Sequence, residues 1–120
     1  MAYNSVKVEA LMAVDSDLVN PVMRHTPDSY APSSTKCYKV VVAAPASPGV
    51  TACSGLFTTY NMILVKNRDT SGTVTASWVD NAANNTQRIP PGGILLISSS
   101  NDGITLIGAG ETCEVSVLGT

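Results

Sequence analysis

The sequence predicts a small all-β sandwich, and three observations lead to this fold class. About seven to nine short apolar segments recur along the chain, spaced about 8–12 residues apart as in sandwiches and barrels. Several of these segments alternate apolar and polar residues with the period of two of a half-buried strand. Clusters of Gly, Pro, Asn, Asp and Ser separate them, and no helical periodicity runs between them.

Length and composition indicate one domain. A chain of 120 residues is near the commonest domain size and buries a core without disulfides or metal. Apolar residues make up 44% of it, whereas charged residues make up 13%, against a usual share of roughly 25%. With a net charge of −2, little repulsion opposes association. This composition suits a protein packed against copies of itself or a partner.

Composition also disfavours several functions. Seven scattered basic residues provide no electrostatic footprint for nucleic acid. No apolar run approaches the roughly 20 residues of a membrane span, and the N-terminus lacks the basic start and apolar centre of a signal peptide. We expect a protein made and used without secretion, with neither nucleic acid nor membrane as a partner.

The first part of the chain, residues 1–35, is predicted to be a strand followed by an irregular arm. Residues 5–14 begin with apolar–polar alternation, which favours a strand, although their second half has good helix propensity. Pro21 limits any helix after the capping residues 15–17 to about one turn. Residues 24–35 contain two prolines and a Ser/Thr cluster, which predicts an arm that reaches a neighbouring subunit or a loop that covers one end of the sandwich.

The remainder, residues 36–120, is predicted to form the sandwich core. Residues 36–43 are β-branched, with Tyr38, Val40 and Val42 on one face. A Pro/Gly turn at residues 45–49 leads to a short strand at residues 50–53.

Two further strands are predicted to form a β-hairpin. Residues 60–66 are apolar on both faces, which predicts a central strand covered by the opposing sheet and by a neighbour or arm. Residues 73–79 alternate cleanly and direct Val74, Ala76 and Trp78 inward. The loop at residues 67–72 between them is compatible with a hairpin connection.

The last third is predicted to contain a loop and three strands. Residues 81–86 are polar and predict a loop, and Pro90-Pro91 must lie at a sheet edge or strand start because proline donates no ladder hydrogen bond. Strands are predicted at residues 94–97 and 104–107, joined by a turn at residues 98–103. The last strand, residues 113–117, places Cys113, Val115 and Val117 on one face and is expected to close the sheet.

The three cysteines are predicted to be buried free thiols. Cys37, Cys53 and Cys113 are widely spaced and lie among apolar or small residues. One disulfide with a spare thiol is the alternative. Metal binding is disfavoured because no CxxC motif or neighbouring histidine accompanies them.

No residue pattern indicates catalysis, a cofactor or a metal site. His25 is the single histidine, and no local signature supports a triad built from it, Asp28 and a serine, so a loop or packing role is predicted. Asp15, Asp17, Asp69 and Asp80 fall in predicted turns, without the ligand-dense loop that calcium requires. We therefore assign no catalytic, cofactor-binding or metal-ligating residues, and we expect no enzyme.

Two other candidate sites also have simpler structural explanations. Trp78 is either a core residue or a stacking platform for a sugar, and its inward register favours the core. Gly92-Gly93 precedes a strand instead of a helix, which excludes the usual setting of a phosphate cradle.

The second half of the chain resembles small virion proteins of tailed bacteriophages. The resemblance covers residues 58–120 and is carried by 60–67 (YNMILVKN), 72–78 (GTVTASW), 89–97 (IPPGGILLI) and 114–120 (EVSVLGT). It implies a jelly-roll-like sandwich built into the particle and transfers no catalytic residue.

The resemblance implies a virion protein assembled in the host cytoplasm. The first expectation is a capsid decoration (cement) protein that bridges major capsid subunits, forms a homo-oligomer such as a trimer, and uses residues 1–35 as its contact arm. The alternative is an attachment or binding module at the tail, a vertex or a fibre base, where it contacts another virion protein or a host glycan. A small β-sandwich enzyme is a third, disfavoured class, because fold alone does not exclude a grafted site.

Overall fold

A computed structural model describes residues 10–12, 23–25 and 36–120. The chain divides into two units, residues 1–35 and residues 36–120. In the first unit, β1 (Ala10–Met12) pairs antiparallel with β2 (Met23–His25). Arg24 and His25, the first two residues of the predicted irregular segment or extended arm, lie in β2, because pairing with a distant strand supplies backbone partners that local composition does not reveal. The rest of the predicted arm lies outside the described residues.

The second unit consists of eight strands, and it confirms the all-β prediction. The strands are β3 (Lys36–Ala44), β4 (Val50–Ala52), β5 (Tyr60–Asn67), β6 (Val74–Asp80), β7 (Ala83–Ile89), β8 (Ile94–Ile97), β9 (Ile104–Ile107) and β10 (Glu111–Gly119). Among the residues that the structure describes, no helix is long and apolar enough to cross a membrane.

The eight strands form two antiparallel sheets with jelly-roll connectivity. Sheet I has the order β3-β10-β5-β8, and sheet II has the order β4-β9-β6-β7. The strands pair as one long antiparallel ribbon that is folded over on itself. Its four nested pairs are β3/β10, β4/β9, β5/β8 and β6/β7. This connectivity is that of an eight-stranded jelly roll, the fold that the resemblance implied. The last strand lies inside sheet I between β3 and β5, and not at its edge.

The core lies between the two sheets and follows the predicted alternation. Sheet I contributes Ile63, Val65, Val115 and Val117, all almost completely buried. Sheet II contributes residues of the same character, namely Val74, Ala76, Ile89, Ile104 and Leu106. Val40 and Val42 pack against this core from β3, whereas Tyr38, predicted to share their face, is exposed.

The predicted hairpin between residues 60–66 and 73–79 is wrong. β5 pairs with β10 and β8 in sheet I, while β6 pairs with β7 and β9 in sheet II. The intervening loop therefore crosses from one sheet to the other. A six-residue polar loop suits either connection, and only the packing of the two apolar faces selects the crossover.

The predicted loop at residues 81–86 is also wrong, because residues 83–89 form strand β7. The turn is reduced to Asn81 and Ala82, both at positive φ (50° and 63°), between the paired residues Asp80 and Ala83. Positive φ at both central positions is the type I′ geometry that suits the twist of a hairpin. The Asn-rich composition of β7 conceals the strand, since its partner β6 and not its own propensity holds it in place.

The cysteines are free, and two of the three lie where predicted. Cys53 and Cys113 are buried, but Cys37 is exposed on β3, so the prediction of a buried thiol is wrong for Cys37. Burial raises the pKa of the Cys53 and Cys113 thiols. Both side chains therefore stay neutral and act as small apolar residues.

Candidate functional site

Two surface features of the sandwich are candidates for function, and the first is the solvent side of sheet I. We define this outer face by four exposed apolar side chains with exposed fractions of 36–66%: Val41, Leu64, Ile94 and Leu96. Leu64 on β5 lies directly opposite Leu96 on β8. Ile94 is two residues from Leu96 and so points to the same side of the sheet. The face therefore has an apolar half along β5 and β8.

Charged residues occupy the middle of the outer face. One row of side chains crosses the four strands of sheet I, and each residue in it is the register partner of the next. The row consists of Val41, Glu114, Lys66 and Ile94. The Glu114 carboxylate lies 2.6 Å from the Lys39 Nζ and 3.7 Å from an Arg68 guanidinium nitrogen.

These contacts keep Glu114 ionised. The hydrogen bond from Lys39, together with the charges of Lys39, Arg68 and Lys66, holds the pKa of Glu114 below its usual range. The outer face thus combines an apolar half with an exposed ion cluster. Such a combination gives a partner both buried area and a preferred orientation.

The second feature is a cleft of about 440 Å³ at one end of sheet II. It lies beside the β6–β7 turn and the loop between β8 and β9, and seven of its ten lining residues are polar. The lining comprises Ser77, Trp78, Val79, Asn84, Asn85, Thr86, Asn101, Asp102, Ile104 and Thr105. We call this feature the Trp78 cleft.

Trp78 is shared between the core and the cleft. Its side chain is partly buried and packs against the core cluster, as its inward register predicted. It also lines the cleft, next to its register partner Asn85.

Asp102 forms a rigid, negatively charged part of the cleft. Its carboxylate accepts hydrogen bonds from the Ser54 hydroxyl at 2.6 Å, the Gly55 backbone N–H at 2.7 Å and the Tyr60 hydroxyl at 3.2 Å. These hydrogen bonds, that of Ser54 first, lower the pKa of Asp102. The carboxylate thus ties the β8–β9 loop to the chain segment between β4 and β5.

We expect the Asp102 contacts to make stability depend on pH in acid. Because the folded-state pKa is depressed, the stabilisation is complete above the unfolded value of about 3.9 and is lost as the pH falls through the folded value. Urea unfolding between pH 5 and pH 2 should therefore show a steeper loss for the wild type than for Asp102→Asn, which has the same shape. Parallel losses in the two proteins would contradict this.

Of the residues considered as catalytic or metal-ligating candidates, Asp69 and Asp80 lie in the described sandwich. Both carboxylates accept hydrogen bonds from other parts of the fold. Asp69 accepts one from the Thr112 backbone N–H, and Asp80 accepts one from the Ser99 hydroxyl. His25 lies in β2, and Asp15, Asp17 and Asp28 lie outside the described residues. Within the described part of the chain, no group of three or more His, Cys, Asp or Glu side chains is placed to hold a metal ion.

Sequence reasoning missed both the outer face and Asp102. The apolar face of residues 60–66 was visible, but its continuation across β8 depends on strand pairing. Asp102 lies in an Asn-Asp-Gly turn, where Asp is expected for backbone reasons alone. Its three hydrogen-bond partners are between 42 and 48 residues away in the chain, so no local signal identifies it.

Comparisons with known proteins identify no relative: no family model matches the chain, and neither a curated protein nor a solved structure is significantly similar to it.

Proposed function

We propose that this protein is a non-enzymatic structural protein of a tailed-bacteriophage virion, a decoration (cement) protein that bridges major capsid subunits. The observation that carries the proposal is the outer face of sheet I, where four large apolar side chains remain exposed around an ion cluster. Clustered apolar exposure of this kind marks interaction surfaces more often than isolated apolar residues do.

Burial of the outer face is the mechanism by which the protein stabilises a shell. Apolar area removed from water contributes about 25 cal/mol per Å². A ligand that binds assembled subunits but not separated ones shifts the equilibrium toward assembly. The Lys39–Glu114–Arg68 cluster adds orientation more than affinity, because it is largely exposed and screened by salt.

The low charge and the fold agree with this role. A net charge of −2 with 13% charged residues offers little resistance to close packing of copies. Jelly rolls occur in viral capsid domains and also in lectins and cupins, so the fold supports the proposal by analogy alone. The proposal includes a homo-oligomer with closed symmetry, such as a trimer.

The decisive experiment is the copy number of the protein in purified particles. A cement protein is present at a number comparable to that of the major capsid protein. A copy number of a few per particle favours the alternative, an attachment module at the tail, a vertex or a fibre base. Absence from particles overturns both.

A surface variant tests the outer face directly. The double variant Ile94→Gln/Leu96→Gln removes two exposed apolar side chains without charge, and we expect at least tenfold weaker binding to particles lacking the protein. Leu56→Gln is the matched control, since Leu56 is similarly exposed (43%) but lies in the loop between β4 and β5. Unchanged binding by the double variant, with wild-type thermal stability, would show that the outer face is not the contact.

A further inference from the structure

We propose that the outer face of sheet I binds an acidic surface of its protein partner, whose carboxylates contact Lys66 and Arg68. Apolar side chains of the same partner cover the apolar half of the face along β5 and β8. The proposed role of the outer face as a contact surface underlies this inference, which adds the chemistry of the partner.

The outer face carries an excess of positive charge. Residues 36–120 contain five basic and five acidic side chains, so the sandwich as a whole is neutral. Lys39, Lys66 and Arg68 lie around Glu114 on the outer face. Among the described residues, Glu114 is the single acidic residue on this face. The face therefore has two positive charges in excess, whereas the rest of the sandwich has two negative charges in excess.

Two of these cations keep the capacity to bind a further carboxylate. Lys66 is exposed and forms no ion pair with another described residue. Arg68 is also exposed, and its guanidinium nitrogen lies 3.7 Å from the Glu114 carboxylate, which is beyond hydrogen-bond distance. A guanidinium offers paired N–H groups that fit both oxygens of a carboxylate, and a neighbouring ammonium group adds positive charge.

Lys66 and Arg68 lie on the same side of sheet I. They are two positions apart, and alternate residues of a strand point to the same side. Arg68 follows the last residue of β5, but its backbone N–H donates to the Thr112 carbonyl at 2.9 Å, so the ladder with β10 continues to this position. The neighbouring Asp69 carboxylate accepts from the Thr112 N–H and forms no ion pair with Arg68. Both cations therefore face the same partner.

The apolar half of the outer face adjoins these cations. Lys66 is the register partner of Ile94, and Leu64 is that of Leu96. Ile94 is the most exposed large apolar side chain of the described residues, at 66%. A partner that satisfies both halves presents carboxylates beside apolar side chains, as an acidic protein surface does. A nucleic acid would neutralise the cations through its phosphates but would leave the apolar side chains in water.

Charge also disfavours the outer face of a second copy as the occupant. A two-fold contact brings the same patch of both copies together, so Lys66 and Arg68 would meet like charges. Like charges brought together cost free energy, and interfaces exclude wrong partners in this way. The occupant is therefore a different surface, negative where this face is positive.

Charge reversal at Lys66 is the central test, since complementary charge accelerates association more than it tightens a complex. We expect Lys66→Glu to bind particles lacking the protein about tenfold more slowly than the wild type at about 50 mM NaCl, measured by surface plasmon resonance. About 500 mM NaCl should remove most of this difference by screening. Arg88→Glu is the matched control, because it makes the same change of charge at an exposed residue of sheet II.

Glu114→Gln distinguishes contact with an acidic partner from a merely structural role of the ion cluster. The substitution nearly preserves shape and removes the carboxylate that competes for the cations. Association with an acidic partner should therefore become about threefold faster at low salt. A cluster that serves only the fold would give slower association or no change.

Peptides test the same chemistry without particles. The acidic probe is an immobilised peptide of alternating Leu and Glu, and Leu/Gln and Leu/Lys peptides of the same length are its neutral and basic controls. Oligothymidine is a polyanion without apolar side chains. We expect the full chain to bind the Leu/Glu peptide saturably, with a dissociation constant at least about fivefold below those of the other three probes.

The outcomes separate the acidic partner from the structural role. If the protein binds particles but Lys66→Glu associates as fast as Arg88→Glu, or Glu114→Gln is no faster than the wild type, the acidic partner is wrong and the structural role stands. If the chain is absent from particles, the structural role fails and the order of the peptides decides alone. No saturable binding of the Leu/Glu peptide, or tighter binding of any other probe, overturns the acidic partner.

Discussion

An Asn67→Asp variant is expected to lose about 3–5 kcal/mol of unfolding free energy at neutral pH, because it places an unpaired negative charge in a buried site. The Asn67 side chain is completely buried. Its Nδ2 donates to the carbonyl oxygens of Gly72 at 3.0 Å and Ile89 at 3.1 Å. A carboxylate at this position would face both carbonyls without a proton to donate.

The effect is large because Asn67 joins the two sheets. It ends β5 in sheet I, and Ile89 ends β7 in sheet II. Its Oδ1 accepts from the Asp69 N–H at 3.2 Å, which fixes the start of the crossover loop. Its backbone also exchanges hydrogen bonds with the Gly92–Gly93 turn. Asn67 therefore joins three chain segments, the crossover loop and the end of β7 through its side chain and the Gly92–Gly93 turn through its backbone.

Chemical or thermal unfolding measures this loss, and pH identifies its cause. Burial raises the pKa of a carboxyl group, so the deficit of Asn67→Asp should shrink in acid as the group takes up a proton. Asn61→Asp is the matched control on the same strand, where Asn61 is only partly buried, and its change should stay within about 0.5 kcal/mol. A deficit below about 1 kcal/mol that does not vary with pH would show that Asn67 does not hold the sheets together.

A Gly103→Ala variant is expected to lose at least about 3 kcal/mol, more than the left-handed conformation alone costs. Gly103 has φ = 61°, a region that costs a residue with a Cβ about 1–2 kcal/mol. A Cβ there would also collide with the Ala52 carbonyl oxygen and lie 3.1 Å from backbone atoms of Cys53 and Ser54. Backbone does not move aside as a flexible side chain does, so the clash adds to the conformational cost.

Gly92→Ala separates the two contributions. Gly92 has a similar φ of 72°, but a Cβ there would meet nothing within 4 Å. We expect Gly92→Ala to lose only the conformational part, about 1–2 kcal/mol. The difference between the two variants in urea unfolding then measures the close approach of the β8–β9 loop to β4. Equal losses would show that this approach is looser than the structure indicates.

Strand positions were predictable wherever the burial of one face is enough to explain the alternation of apolar and polar residues. Residues 104–107 were predicted as a strand, and β9 occupies the same residues. The inward face of Cys113, Val115 and Val117 was likewise correct, since strict alternation of apolar and polar residues leaves one arrangement that buries the apolar set.

Pairing partners were not predictable from local pattern. Residues 60–66 and 73–79 were assigned to one hairpin because they adjoin in the sequence, yet they belong to different sheets. Residues 83–86 of β7 are predicted as a loop because Asn is a poor strand former, whereas pairing with β6 overrides that preference at a sheet edge. Both errors arise because a strand's pairing partners cannot be identified from how close two segments lie in the sequence.

The sequence alone determined the class of fold and the inward side of most strands, because the hydrophobic effect acts on each segment's own alternation. The jelly-roll order of the strands was decided by the tertiary structure alone. Each nested pair joins two segments whose local sequence patterns do not indicate which strand they pair with. The tertiary structure also decided both candidate sites. The outer face exists because Leu64 and Leu96 meet across β5 and β8, and the Trp78 cleft exists because β6, β7 and the β8–β9 loop meet at one end of sheet II.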